Sequence, residues 1–199
     1  KLINERVVGL NCSDLRYSYG SKNGLVLRTD KEGTLLWEKE FLEEGQAEET
    51  VYSISNTNNG NYFICSTTNS VAEPGIYQPK ISKIDLEGNI DWQRTFAANG
   101  KNYHRFQATG TQKGDIVLVG SSGRQVATGY DEDAFMVRMD DKGNIIWSYA
   151  YGTYDNDDWG WSVFETPDNN IVFVGSTKSF GASLFDIYLV GTNAEGISQ

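Results

Sequence analysis

The chain of 199 residues carries 27 acidic against 17 basic side chains, and its formal net charge of −10 sets it against phosphate backbones and anionic lipid surfaces, so nucleic acid is not an expected partner. Its 39% hydrophobic and 13% aromatic content suits a globular core, and no apolar run approaches the roughly 18 residues of a membrane-spanning helix. Two cysteines and one histidine leave little material for a disulfide framework, a zinc cluster or a histidine-based triad.

In chain order, Arg6 to Gly9 opens an apolar strand that returns as Asn61 to Ser66, Asp115 to Gly120 and Asn170 to Gly175. Asp30-Lys31-Glu32-Gly33 follows, with Trp37 four residues past the glycine. The same D-x-x-G-x-x-x-W pattern recurs from Asp85 through Gly88 to Trp92 and from Asp140 through Gly143 to Trp147, and a fourth copy opens at Asn193 to Gly196. The turn glycines at 33, 88, 143 and 196 lie 55, 55 and 53 residues apart, so the chain covers about three and a half copies of a unit of about 55 residues.

The clearest unit predicts four strands: Val51 to Asn56, Asn61 to Thr67, Pro79 to Ile84 and Asn89 to Ala97. All are rich in β-branched and aromatic residues and are separated by Asn-Gly or Asp-Gly turn signals. The leading aspartate of each D-x-x-G turn can bond its own turn backbone, and the glycine can take φ > 0. No stretch has helical periodicity, so the expected fold is all-β: a β-propeller of four-stranded antiparallel blades. Its divisions are a partial blade over 1–49, blades over 50–102 and 103–158, and a partial blade over 159–199, all in one domain or a fragment of one. Trp37, Trp92 and Trp147 are expected to be largely buried against the adjoining blade in equivalent positions. Cys65 takes the place of Val119 and Val174 and reads as a small buried hydrophobe, with no bridge to Cys12 expected. The strand types do not balance at the two ends, which predicts a polypeptide continuing beyond Lys1 and Gln199 toward a ring of roughly six to eight blades; a closed four-bladed ring is the alternative.

The string Trp147 to Gly152, Trp161-Ser162-Val163, Glu165-Thr166-Pro167-Asp168, Ile171 to Thr177 and Asp186 to Val190 resembles the bacterial β-propeller repeats of secreted and surface lipoproteins. That resemblance implies an extracytoplasmic location, secreted or at the cell surface, with any membrane tether being a lipid anchor outside this chain. The D-x-x-G-x-x-x-W element is also similar to the tryptophan docking motif of quinoprotein propellers and of the outer-membrane assembly lipoprotein of that fold. Here the Asp-to-Gly gap is one residue shorter and no vicinal cysteine pair accompanies it, so no quinone cofactor is expected.

No catalytic set or metal cluster can be read from the residues. The densest candidate for ligand contact is Tyr151 and Tyr154, then Asp155, Asp157 and Asp158, then Trp159, where aromatic faces and carboxylates alternate as they do around sugar rings. Calcium is the one cofactor this oxygen-rich loop could take, although the EF-hand spacing is absent. Tyr103, His104 and Asp131 are further ligand candidates, and Asp133 recurs as Asp186 at the start of a strand. The connections expected to be long are Asn11 to Asn23, Thr68 to Gln78, Ser122 to Glu132 and Lys178 to Leu184, with others between blades, all on one face. Variation gathered on one rim of a uniform scaffold is how repeat proteins build binding surfaces. Two readings stand at this point: a non-enzymatic binding or scaffold module holding a protein or glycan ligand on that face, and a glycan-binding or carbohydrate-active propeller using loop 151–161.

Overall fold

The computed structural model describes residues 6–13, 22–41, 48–57, 60–69, 77–96, 102–126, 129–153, 156–181 and 184–198. These form fourteen strands in four antiparallel sheets that follow one another along the chain. The first sheet holds β1 (Arg6–Ser13), β2 (Lys22–Thr29) and β3 (Leu35–Phe41). The second holds β4 (Glu49–Asn56), β5 (Tyr62–Asn69), β6 (Tyr77–Ile84) and β7 (Ile90–Thr95). The third holds β8 (Asn102–Gly110), β9 (Ile116–Val126), β10 (Gly129–Met139) and β11 (Ile145–Tyr151). The fourth holds β12 (Asp158–Glu165), β13 (Ile171–Thr177) and β14 (Asp186–Thr192). Within each sheet, strands adjacent in sequence are adjacent in space.

The two-residue period of a strand divides the core between neighbouring sheets. Tyr62 and Ile64 of β5 join Val26 and Phe41 of the first sheet, whereas Phe63 and Cys65 point the other way, into a cluster with Phe106, Ile116, Leu118 and Met139 of the third. The next strand of the same kind repeats the division, Val117 and Val119 of β9 packing with Val163, Ile171 and Phe173 of the fourth sheet. Cys65 is a buried free thiol, its pKa pushed up to about 12 by burial, against a lowering hydrogen bond from Ser53. In the fourth sheet the matching face is uncovered: Val174 is 40%, Leu189 68% and Ile187 84% exposed.

The first strands of successive sheets are stitched directly together. Backbone N–H groups of Ala108 and Gly110 on β8 donate to Ser53 Oγ and Ser55 Oγ on β4 at 3.1 and 2.9 Å, and Val163 N–H on β12 donates to Gln107 Oε1 on β8 at 2.7 Å.

Each D-x-x-G turn is closed by its own aspartate, which accepts from backbone N–H groups two and four residues on: Glu32 and Thr34 for Asp30, Glu87 and Asn89 for Asp85, Lys142 and Asn144 for Asp140. Asn193 does the same for Glu195 and Ile197. The glycines take φ of +88°, +75°, +82° and +80°, a region L-residues avoid.

Onto three of these turns the preceding sheet lays a tryptophan. Trp37 Nε1 donates to Leu86 O at 2.9 Å, Trp92 Nε1 to Asp141 O at 2.9 Å and Trp147 Nε1 to Ala194 O at 3.1 Å. A cation on the adjacent strand shares each carbonyl: Arg28 donates to Leu86 O, Lys83 to Asp141 O at 3.2 Å and Arg138 to Ala194 O at 2.9 Å. Each cation stands directly across the strand pair from its tryptophan. The turn glycine makes room for the ring, since a Cβ at Gly88, Gly143 or Gly196 would stand 3.0, 2.9 or 3.0 Å from the docked indole. The three indoles are half-buried rather than largely buried, because the last strand is the outer edge of its sheet and water reaches the ring there.

Three segments depart from the sequence-based expectation. Asn11 to Asn23 is shorter as a connection, since Cys12 pairs with Asn23 and Ser13 with Lys22. Ser122 to Glu132, expected as a loop, is mostly strand: β9 and β10 continue as a ribbon paired out to Val126 and Gly129, as the β-branched Val117, Val119 and Val126 permit. Thr68 to Gln78 is shorter as a connection, since Asn69 pairs with Tyr77.

Replacing Trp37, Trp92 or Trp147 by Ala is expected to lower unfolding stability by roughly 2–4 kcal/mol each, a partly buried ring costing less than a core one. Gly88→Ala adds overpacking of about 1–3 kcal/mol to the backbone strain it shares with Gly33→Ala, where nothing lies within 4 Å of the new methyl. Denaturant titration of the five variants checks both.

The Asn89 and Asn144 side chains, and then their backbone N–H groups, hold the exposed Asp85 and Asp140 carboxyls below the usual carboxylate range. Stability from these turns is therefore present above the ordinary carboxylate pKa and lost as the pH falls through the lower native values. Asp85→Asn with Asp140→Asn is expected to flatten the acid limb of a stability-against-pH curve; an unchanged limb would show that the turns do not couple to folding.

Candidate functional site

One position of the repeat, the start of the first strand of the second, third and fourth sheets, carries a different chemistry in each. Glu49, Tyr103 and Asp158 face Thr68, Ser122 and Thr177 across the strand pair. Glu49 is buried in an ion pair with Lys80 at 2.8 Å and accepts from Ser66 Oγ at 2.8 Å. Tyr103 is buried against Phe135 edge-on at 5.5 Å and near Phe106 at 6.2 Å, and burial raises its pKa. Asp158 is buried with both carboxylate oxygens occupied: Thr177 Oγ1 donates to one, and Ser179 Oγ at 2.6 Å and Thr153 N–H at 3.2 Å donate to the other.

The ligand candidates read from the sequence are therefore dispersed. Tyr103 and Asp131 are buried, the latter in β10 across from Arg124. His104 lies in β8 opposite Ser121, with its side chain outside the described residues, as Tyr154 and Asp155 are entirely. Tyr151 ties sheets together, donating from its hydroxyl to Gly196 O at 2.6 Å and meeting Phe173 edge-on; burial, then Tyr149 and Tyr188, raise its pKa. It also lines a cleft of about 440 Å³ with Gly152, Phe180, Tyr188, Leu189 and Val190, beside the open edge of β14. Asp157 is held by Lys178 Nζ at 2.7 Å and accepts weakly from Glu132 N–H at 3.4 Å. Among the described residues no group of three or more His, Cys, Asp or Glu side chains could hold a metal ion; the calcium reading leans on Asp155, which is not among them.

Trp159 instead joins Trp161, within the loop 151–161 of the glycan reading, to Arg105 and Phe185, which the sequence does not single out. The first strands of the second, third and fourth sheets each contain a β-bulge, between Val51 and Ser53, His104 and Gln107, and Gly160 and Ser162. The bulge re-aims the extra residue away from the sheet. Tyr52 and Trp161 are these residues in β4 and β12, and both are exposed; in β8 two residues fall in the break, Phe106, which is buried, and Arg105, which is exposed. Arg105 takes φ +58°, unusual for a long side chain and a sign of stored strain. Its guanidinium lies 5.1 Å from the Trp159 ring centroid and 4.9 Å from that of Trp161. The two indoles meet edge to face at 5.8 Å, Phe185 packs on Trp159 at 4.3 Å, and Lys178 Nζ sits 4.5 Å from the Phe185 ring. Trp161 Nε1 donates to Ser176 Oγ at 3.0 Å, whereas Trp159 Nε1 is buried with no acceptor among the described residues. The available signal was Trp159-Gly160-Trp161 itself: alternation places both rings on one side of a strand, and only a bulge turns one of them outward.

Asp158→Ala strands two hydroxyls and a backbone N–H and is expected to cost roughly 2–4 kcal/mol of stability, while Asp157→Ala, which breaks a half-exposed pair, should cost about 1 kcal/mol or less. Thermal and denaturant unfolding of the two variants makes the comparison.

No family model matches the chain, and no curated protein matches it. Among solved structures it is similar to a hypothetical protein from Leishmania major, with a TM-score of 0.55 at 10% identity over 100% of this chain and 68% of that one. It is also similar to MPT-4, a mannose phosphorylase from Leishmania mexicana solved with phosphate ion, with a TM-score of 0.44 at 10% identity over 94% of this chain and 57% of that one. At such identity the first likeness is one of fold alone.

Proposed function

We propose that the protein is a non-enzymatic binding module built as a β-propeller of four-stranded blades, and that its ligand is a glycan held at the rim where the third and fourth sheets meet. The observation that carries this reading is the Arg105, Trp159, Trp161 and Phe185 cluster, with Trp161 43% exposed on a bulge. Aromatic faces with a polar partner at the edge suit the apolar face and hydroxyl rim of a sugar ring. The propeller reading is supported by the tryptophan docking that relates successive sheets and by first strands lying side by side. The non-enzymatic reading is supported by the nearby carboxylates being engaged: Asp157 by Lys178, Asp158 by Thr177 and Ser179. An extracytoplasmic setting follows the resemblance to lipoprotein repeats.

A glycan array on the purified protein tests the reading, followed by calorimetry on each hit. Binding that falls at least tenfold in Trp161→Ala, with the unfolding midpoint unchanged, is expected. An array with no hits would remove the glycan, and turnover of a bound sugar would remove the non-enzymatic assignment.

A further inference from the structure

The cluster is rich in donors and poor in acceptors. Of its two cations, Lys178 is matched by Asp157 at 2.7 Å, whereas no salt bridge reaches Arg105 among the described residues, in a chain of formal net charge −10. The guanidinium lies over two indole rings, and no hydrogen bond from its N–H groups is made among the described residues. Those N–H groups form a rigid fork that matches a carboxylate through two parallel hydrogen bonds, a match a lysine cannot make. The contact with two rings set at right angles restrains the side chain, so a ligand meets an arginine that has already given up part of its conformational freedom.

Resting on the glycan reading above, we infer that the site selects acidic sugars: a hexuronate whose ring lies against the exposed part of Trp161 and whose carboxylate takes the Arg105 fork. The acidic character of the whole chain does not oppose this. At physiological ionic strength charges beyond about 8 Å are screened; of the acidic side chains beside the cluster, Asp157 is paired with Lys178 and Asp158 is held by Thr177 and Ser179. Arg105 is thus a specificity-determining residue, and Trp161 supplies affinity common to acidic and neutral rings.

The experiment titrates the protein, by calorimetry and tryptophan fluorescence, with glucuronate and galacturonate oligosaccharides and with their glucose and galactose counterparts. The acidic member of a pair is expected to bind at least tenfold more tightly. Arg105→Gln, whatever it does to the affinity for both members, should bring the acidic-to-neutral ratio down to about one, and Arg105→Lys should restore only part of that ratio. Equal affinity for acidic and neutral members, or an Arg105→Gln loss that leaves the ratio unchanged, overturns the inference and leaves the glycan reading standing. Binding of neither member removes both. The acidic-to-neutral ratio in the unsubstituted protein decides the matter even if Arg105→Gln proves unstable.

Discussion

A single main-chain oxygen in an exposed turn ties the outer edge of each sheet to the next. Leu86 O, Asp141 O and Ala194 O each accept from an indole and from a cation of the preceding sheet. Hydrogen bonds to charged donors are worth roughly 1.5–3 kcal/mol and neutral ones about 1 kcal/mol, so the joint is a substantial fraction of a stability that is small in total. Other features follow from it. The turn must be closed by its own Asp or Asn so that the oxygen faces outward, and the residue beneath the ring must be glycine. The indole must stand across from a long basic side chain, which is why Arg28, Lys83 and Arg138 recur nine residues before Trp37, Trp92 and Trp147.

Much of this was legible in the residues. The spacing of the D-x-x-G turns gave the repeat, and the β-branched runs between turn signals gave the strands to within two or three residues at their ends. The turn aspartates bond their own backbone as their side-chain chemistry requires. The partner of each tryptophan was not legible, because it is a carbonyl 47 to 49 residues further on, and a carbonyl has no letter in the sequence. The recurring basic residue was a readable signal that only gains meaning once the pairing across strands is known. Cys65, Val119 and Val174 were correctly aligned as one strand position, yet Val174 is exposed where the others are buried; position in a repeat does not say whether a neighbour covers it.

The candidate site was the least readable part, and bulges are the reason. One extra residue reverses which side chains leave the sheet, so Trp161 projects where alternation would place something else, and Arg105 leaves β8 within a break that it shares with the buried Phe106. The acidic loop that drew attention first supplies internal bonding instead: Asp158 organises Thr153, Thr177 and Ser179, at the position where Glu49 takes Lys80 and Tyr103 takes Phe135. A uniform scaffold thus tolerates an ion pair, an aromatic contact or a hydroxyl network at the same point, and the differences reach the surface as different rims.

The docking bond also runs in one direction only. Every donor precedes its acceptor in the chain, by 49 residues for Trp37 and Trp92 and by 47 for Trp147. On a ribosome the indole of a finished sheet therefore emerges with nothing to rest on, and waits until the turn of the following unit has been translated and has cleared the exit. Each sheet matures one repeat behind the growing end. Consolidation proceeds from the N-terminus as a wave whose spacing equals the repeat, and at every moment during synthesis one outer strand with its tryptophan is the open edge of the nascent protein.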